Sequence, residues 1–86
     1  MQTIFVMVKC ERGQAYNVAD AAVLDVEGVS EVYSISGQYD LIMKCHLPDS
    51  TDIGHFVTEK VQVLEGIRDT FTIIAFKAFG SGGGKA

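Results

Sequence analysis

The sequence predicts one α+β domain of ferredoxin-like topology, with the order βαββαβ. Three observations carry that prediction. Four runs read as strands, the first with apolar residues alternating at a period of two, and two other segments follow helical spacing. The two middle strand-like runs are joined by a short glycine-containing connection, Ser36-Gly37-Gln38-Tyr39-Asp40, which implies an antiparallel hairpin. The two halves also echo each other: Val26-Glu27-Gly28-Val29-Ser30-Glu31 reappears as Leu64-Glu65-Gly66-Ile67-Arg68-Asp69, with the glycines 38 positions apart. Two βαβ units related in this way form a split plait. Right-handed crossovers then give a four-stranded antiparallel sheet in the order 4-1-3-2 with both helices on one face.

The first strand spans Gln2 to Glu11, with Ile4, Val6, Val8 and Cys10 on one face and Phe5 and Met7 on the other. From Gly13 the period changes, and Ala15, Val18, Ala19, Ala22, Val23 and Val26 mark an amphipathic helix that stops at Gly28, where glycine accepts a positive φ. Val29 to Ser36 and Leu41 to Leu47 read as the second and third strands. After Pro48, the cluster Asp49-Ser50-Thr51 offers an N-cap for a second helix, striped by Ile53, Phe56, Val57, Val61 and Leu64 and ending at Gly66. Ile67 to Phe79 is the last strand. The domain is therefore expected over residues 1–79, with the glycine-rich residues 80–86 as a flexible tail.

Eighty-six residues leave room for a single core, and a chain this short gains from self-association. Seven basic residues stand against eleven acidic ones, for a net charge of −4, with no Lys/Arg cluster, so direct nucleic-acid binding is not expected. No apolar run approaches the roughly 20 residues that span a bilayer. Met1-Gln2-Thr3 has no signal-peptide character, and a cytoplasmic protein without membrane contact is expected. Cys10 and Cys45 sit singly in apolar strand runs, and antiparallel pairing of strands one and three places them far apart, so they read as buried thiols. His46 and His55 have no Cys or carboxylate partners at ligand spacing, and neither a phosphate-binding glycine loop nor a nucleophile elbow occurs. The expectation is a protein that is not an enzyme and carries no cofactor or metal.

The sheet face opposite the helices should be polar in a monomer. Here Phe5 and Met7 of strand one, and Phe71 and Ile73 of strand four, make it apolar, which predicts that a second copy packs against it.

One constellation has the chemistry of a small-molecule site. The turn Gly37-Gln38-Tyr39-Asp40 and the strand residues Thr70 and Thr72 are expected at the same end of the sheet, with one strand between them, a gap of about 10 Å. A free amino acid needs a carboxylate near its ammonium, which Asp40 offers, and donors near its carboxylate, which the turn N–H groups offer. Thr70 and Thr72, two apart on a strand, would present their hydroxyls to one face. The same residues also fit a plain hairpin turn with an aromatic anchor and a capping Asp.

The run Val29 to Leu47 with Gly37-Gln38-Tyr39-Asp40-Leu41-Ile42-Met43-Lys44, then Phe56-Val57, Lys60-Val61, Gly66-Ile67 and Thr70-x-Thr72-x-Ile74, resembles the ligand-binding (RAM) domain of the Lrp/AsnC transcription regulators over Gln2 to Phe79. The resemblance implies a dimeric α+β barrel with sheets face to face, assembly into tetramers or octamers, and amino-acid effectors held between dimers. Gly37, Gln38, Tyr39 and Asp40 would line that site, with Thr70 and Thr72 setting specificity. Full-length regulators of this family carry an N-terminal helix-turn-helix, whereas here strand one begins at residue 2; the expectation is a stand-alone form that modulates a full-length relative or senses a metabolite. Two rivals share the strand order: a small monooxygenase-like barrel enzyme, which needs a polar cavity where this chain puts Ile, Val, Ala, Leu and Phe, and an ACT-like amino-acid-binding module, which would leave the bare face unburied.

Overall fold

The computed structural model describes residues 1–80, and most of the glycine-rich tail expected at 80–86 lies outside the described residues. The elements are β1 (Gln2–Cys10), α1 (Ala15–Asp25), β2 (Val29–Ser34), β3 (Leu41–Leu47), α2 (Ile53–Phe56) continuing into a π-helical turn (Val57–Val61), and β4 (Ile67–Ala75). The sheet order is β2-β3-β1-β4 with every pairing antiparallel, which is the expected 4-1-3-2 order.

Register explains the core. Ile4 lies opposite Cys45 and Ile74, Val6 opposite Met43 and Thr72, and Val8 opposite Leu41 and Thr70. Ile4, Val6, Val8, Leu41, Met43 and Cys45 are completely buried beneath the two helical segments, which contribute Val18, Ala22 and Val26 from α1 and its C-terminal end, and Phe56, Val57 and Val61 from the second. The opposite face carries Phe5, Met7, Ile42, Phe71 and Ile73, because Phe5 pairs with Ile73 and Met7 with both Ile42 and Phe71. Phe71 is 54% and Ile73 43% exposed, so within the protomer this face is uncovered. The helices cover β1 and β3 better than β4: Ile74, on the helix side of that outer strand, is still 49% exposed.

The repeated glycines mark equivalent corners. Gly28 (φ +104°) and Gly66 (φ +98°) hold backbone conformations that a side chain disfavours, and each is packed closely. A Cβ on Gly28 would stand 2.7 Å from Leu47 Cδ2, and one on Gly66 2.9 Å from Val18 Cγ2.

Several boundaries differ from those read in the sequence. β4 stops at Ala75 and not at Phe79, because Ala75 pairs with Thr3 near the start of β1 and no partner strand continues beyond; Phe76 and Phe79 are exposed. β2 ends at Ser34 and not at Ser36, where the Ile35 N–H turns to donate to the Asp40 carbonyl at 2.9 Å. The second helix is capped by Asp52, whose Oδ1 accepts from the His55 N–H at 2.9 Å, and not by the cluster Asp49 to Thr51. Those residues form the preceding turn, closed by the Thr51 N–H donating to the Pro48 carbonyl. That helix ends at Val61 and not near Gly66. Val23, expected on the buried stripe of α1, is 55% exposed. At 100° per residue it sits about 140° around the helix from Val18, off the line of Val18, Ala22 and Val26.

Both cysteines are free and buried. Cys45 pairs with Ile4 and Cys10 with Ile67, so they lie toward opposite ends of β1, about 20 Å apart at the strand rise. Among the described residues no helix is long and apolar enough to cross a membrane.

Candidate functional site

Topology brings the β2–β3 turn, the β1–α1 connection and the start of β4 to one end of the sheet. Asp40 ties two of these together. Its backbone N–H donates to the Val8 carbonyl at 2.8 Å, and its carboxylate Oδ2 accepts the Cys10 N–H at 2.8 Å. The carboxylate therefore closes the ladder at the end of β1, and its Oδ1 has no hydrogen-bond partner among the described residues. On the other flank, the Glu11 N–H donates to the Gly66 carbonyl at 2.7 Å, fixing the β1–α1 connection against the start of β4.

The six residues singled out in the sequence distribute over both faces at this end. Gly37 (φ +106°) and Gln38 are exposed at the turn, with nothing within 4 Å of where a Gly37 Cβ would stand. The Tyr39 ring lies on the uncovered face, its centroid 6.3 Å from that of Phe71, with Lys9 Nζ 5.8 Å from the ring centroid. Thr70 and Thr72 share a face, as their spacing requires, but it is the helix side, since they pair with Val8 and Val6. The Thr70 hydroxyl accepts from Gln62 Nε2 at 2.8 Å. Within one protomer Tyr39 and the threonine pair are thus separated by the sheet.

A cavity of about 430 Å³ opens at the same end, lined by Cys10, Glu11, Arg12, Gly13, Tyr16 and Asp40. Of the six expected residues it contains Asp40 alone. Glu11, Arg12 and Tyr16 did not emerge from the sequence as site residues; the available signal was topological, because the end of strand one must adjoin the start of strand three. Cys10 forms part of the wall as a neutral thiol, since burial and then the charge of Asp40 push its pKa upward. A cavity of about 690 Å³ at the opposite end is bounded by Gly28, His46, Leu47, Phe56 and Lys60, and a third, of about 430 Å³, lies on the uncovered face beside Phe5, Lys44 and Lys77.

The histidines are engaged locally. His46 Nδ1 is 3.1 Å from the Thr3 hydroxyl, and His55 Nδ1 is 3.2 Å from Glu59 Oε2 at the solvent-exposed surface. Among the described residues no three His, Cys, Asp or Glu side chains gather as a metal site.

Comparison with known proteins gives the site its context. The sequence model of the Lrp/AsnC ligand binding domain matches residues 3–83. Homocitrate synthase of Sulfolobus acidocaldarius is 31% identical over 72 residues, which is 84% of this chain and 15% of that protein. An uncharacterised HTH-type transcriptional regulator of Pyrococcus furiosus is 25% identical over 76 residues, 86% of this chain and 51% of the regulator. The chain thus spans about half the length of such regulators and a small part of the synthase. Among solved structures, a Thermus thermophilus protein superimposes with a TM-score of 0.83 at 32% identity, over 94% of this chain and 100% of its own. Escherichia coli AsnC shares the fold, with a TM-score of 0.76 at 22% identity over 90% of this chain and 52% of its own. With the sheet order, the turn that Asp40 closes and the match over nearly all of its length, this chain belongs to the Lrp/AsnC ligand-binding domain family.

Proposed function

We propose that the chain is an effector-binding regulatory module that binds a small metabolite, an amino acid, at the end of the sheet where Asp40 stands. Asp40 carries the reading. Its carboxylate is held in place by the Cys10 N–H while Oδ1 keeps its acceptor capacity, which is the arrangement an ammonium group requires. Gly37, Gln38 and Tyr39 form the rest of the turn, and Thr70 and Thr72 complete the lining of the site. Because Tyr39 and the threonines occupy opposite faces, a ligand touching all six residues needs groups from more than one subunit, so the effector belongs at a subunit interface.

The assembly follows from the uncovered face. Phe5, Met7, Ile42, Phe71 and Ile73 form a contiguous apolar surface of the kind that soluble chains bury against a partner. Sheet-to-sheet packing of two copies makes a dimeric α+β barrel, and dimers associate further into tetramers or octamers. Relatives that carry this domain beside other segments, in regulators and in an enzyme, support a module whose output is read by an attached or associated partner, for which a full-length Lrp/AsnC-type regulator is the natural candidate.

A thermal-shift panel of the twenty amino acids tests the reading. At 100 Kd a ligand stabilises by about 2.7 kcal/mol. If none raises the melting temperature, the amino-acid assignment fails. If one does, Asp40→Ala should erase that shift.

A further inference from the structure

We infer that the cavity between the β1–α1 connection and Asp40 selects an amino acid with a second cationic group, its carboxylate bound by Arg12 and its two cationic groups by Asp40 and Glu11. The inference rests on the reading that Asp40 receives an ammonium, and adds to it the partner of the carboxylate and the class of the side chain.

Charge and geometry lead to it together. Arg12 and Asp40 line one cavity of about 430 Å³ from two different connections, yet they are not paired: among the described residues neither has an opposite charge within 4 Å. An arginine and an aspartate that line one space without pairing have the complementarity of a molecule carrying both an ammonium and a carboxylate. Glu11 adds a second acidic residue to the lining. The Cys10 thiol remains protonated, so the walls carry one positive charge and two negative ones. A ligand with one carboxylate and two cationic groups balances that set; a neutral side chain leaves Glu11 unmatched, and an acidic one adds a repulsion. Tyr16, also lining the cavity, offers an aromatic face against which a cationic side chain can rest. The frame is fixed independently of any ligand, because the Glu11 N–H is bonded to Gly66 and the Cys10 N–H to Asp40.

Calorimetric titration of the intact protein with L-lysine, L-ornithine, L-leucine, L-glutamate and cadaverine tests this. Lysine or ornithine should bind about tenfold or more tightly than leucine, glutamate should be the weakest of the amino acids, and cadaverine, lacking the carboxylate, should lose about tenfold against lysine. Arg12→Gln should remove the lysine preference over cadaverine, and Glu11→Gln should remove the preference over leucine. Both residues are exposed, so these variants are expected to keep the fold, and an unchanged melting temperature without ligand checks that. Preference for leucine or glutamate, or full lysine affinity in Arg12→Gln, overturns the inference while leaving amino-acid binding intact. Silence from all of the amino acids in the twenty-member panel removes the underlying reading as well.

Discussion

Replacing Gly28 with alanine separates two physical effects that coincide at that corner. The backbone there has φ +104°, and an added Cβ would stand 2.7 Å from Leu47 Cδ2, 3.5 Å from the His46 carbonyl oxygen and 3.6 Å from Phe56 Cε1. Leu47 is only 2% exposed, but its Cδ2 ends a flexible side chain that borders the cavity of about 690 Å³, so it can turn aside at the cost of a strained rotamer. The backbone conformation costs an L-residue about 1–2 kcal/mol, and displacing the Leu47 methyl from its rotamer costs about 0.5–1.5 kcal/mol more. Gly37 provides the control. Its φ is nearly the same, +106°, yet nothing lies within 4 Å of its Cβ position, so alanine there incurs the backbone term alone. In a domain of this size about 1 kcal/mol corresponds to 4–8 °C in melting temperature. Gly37→Ala should therefore lower Tm by roughly 5–15 °C, and Gly28→Ala by roughly 3–10 °C beyond that, in scans at equal protein concentration so that any self-association contributes equally. Equal losses in the two variants would refute the crowding argument, and no loss in either would refute the assigned backbone conformation.

Phe71→Lys should cost the single chain little, since the ring is 54% exposed there, but should block the proposed sheet-to-sheet packing; light scattering should show a particle mass below that of the wild type, and an unchanged mass would exclude this face as the interface. Asp40→Ala removes the acceptor of the Cys10 N–H and should lower unfolding free energy by about 1 kcal/mol in urea, with Asp40→Asn losing less because it keeps an oxygen. Burial pushes the Cys45 thiol up to about 11 from an ordinary 9.0. The folded state then holds its proton where the unfolded state has lost it, so this contribution is intact below pH 9 and declines between pH 9 and about 11. Urea midpoints at pH 8 and 10 should show that fall more strongly in wild type than in Cys45→Ala. Gln62→Ala, which frees the Thr70 hydroxyl at an exposed site, should change stability by less than about 0.5 kcal/mol; a shift in ligand preference would place Thr70 at the effector.

β1 and β3 were legible because each carries a period-two pattern, and the echo around Gly28 and Gly66 implies the topology that places β2 and β4 beside them. Pairing also made the face of each strand residue deducible, including the apolar side bearing Phe5 and Met7. What escaped were features decided by competition between neighbours. Asp49, Ser50, Thr51 and Asp52 are all able to cap, and the turn begun at Pro48 engages the first three, leaving Asp52. The i→i+5 bond from the Gln62 N–H to the Val57 carbonyl, 2.8 Å, has no sequence signature. At the site, the common end of the sheet was deducible, yet the placement of Tyr39 and the threonines on opposite faces was not, because turn residues have no register to inherit. Arg12 and Glu11 were hidden for a related reason: as single charges in a connection they look like ordinary solvated residues until the cavity beside them is seen.

The Cys10 N–H is held by the Asp40 carboxylate at 2.8 Å. That amide proton is shielded from water only while the carboxylate stays on it, so its rate of isotope exchange is an intrinsic gauge of how firmly this end of the sheet is latched. A visitor that draws the carboxylate outward would quicken the exchange, and one that settles against the free oxygen while leaving the latch closed would slow it, so a single backbone position registers both occupancy and the manner of docking.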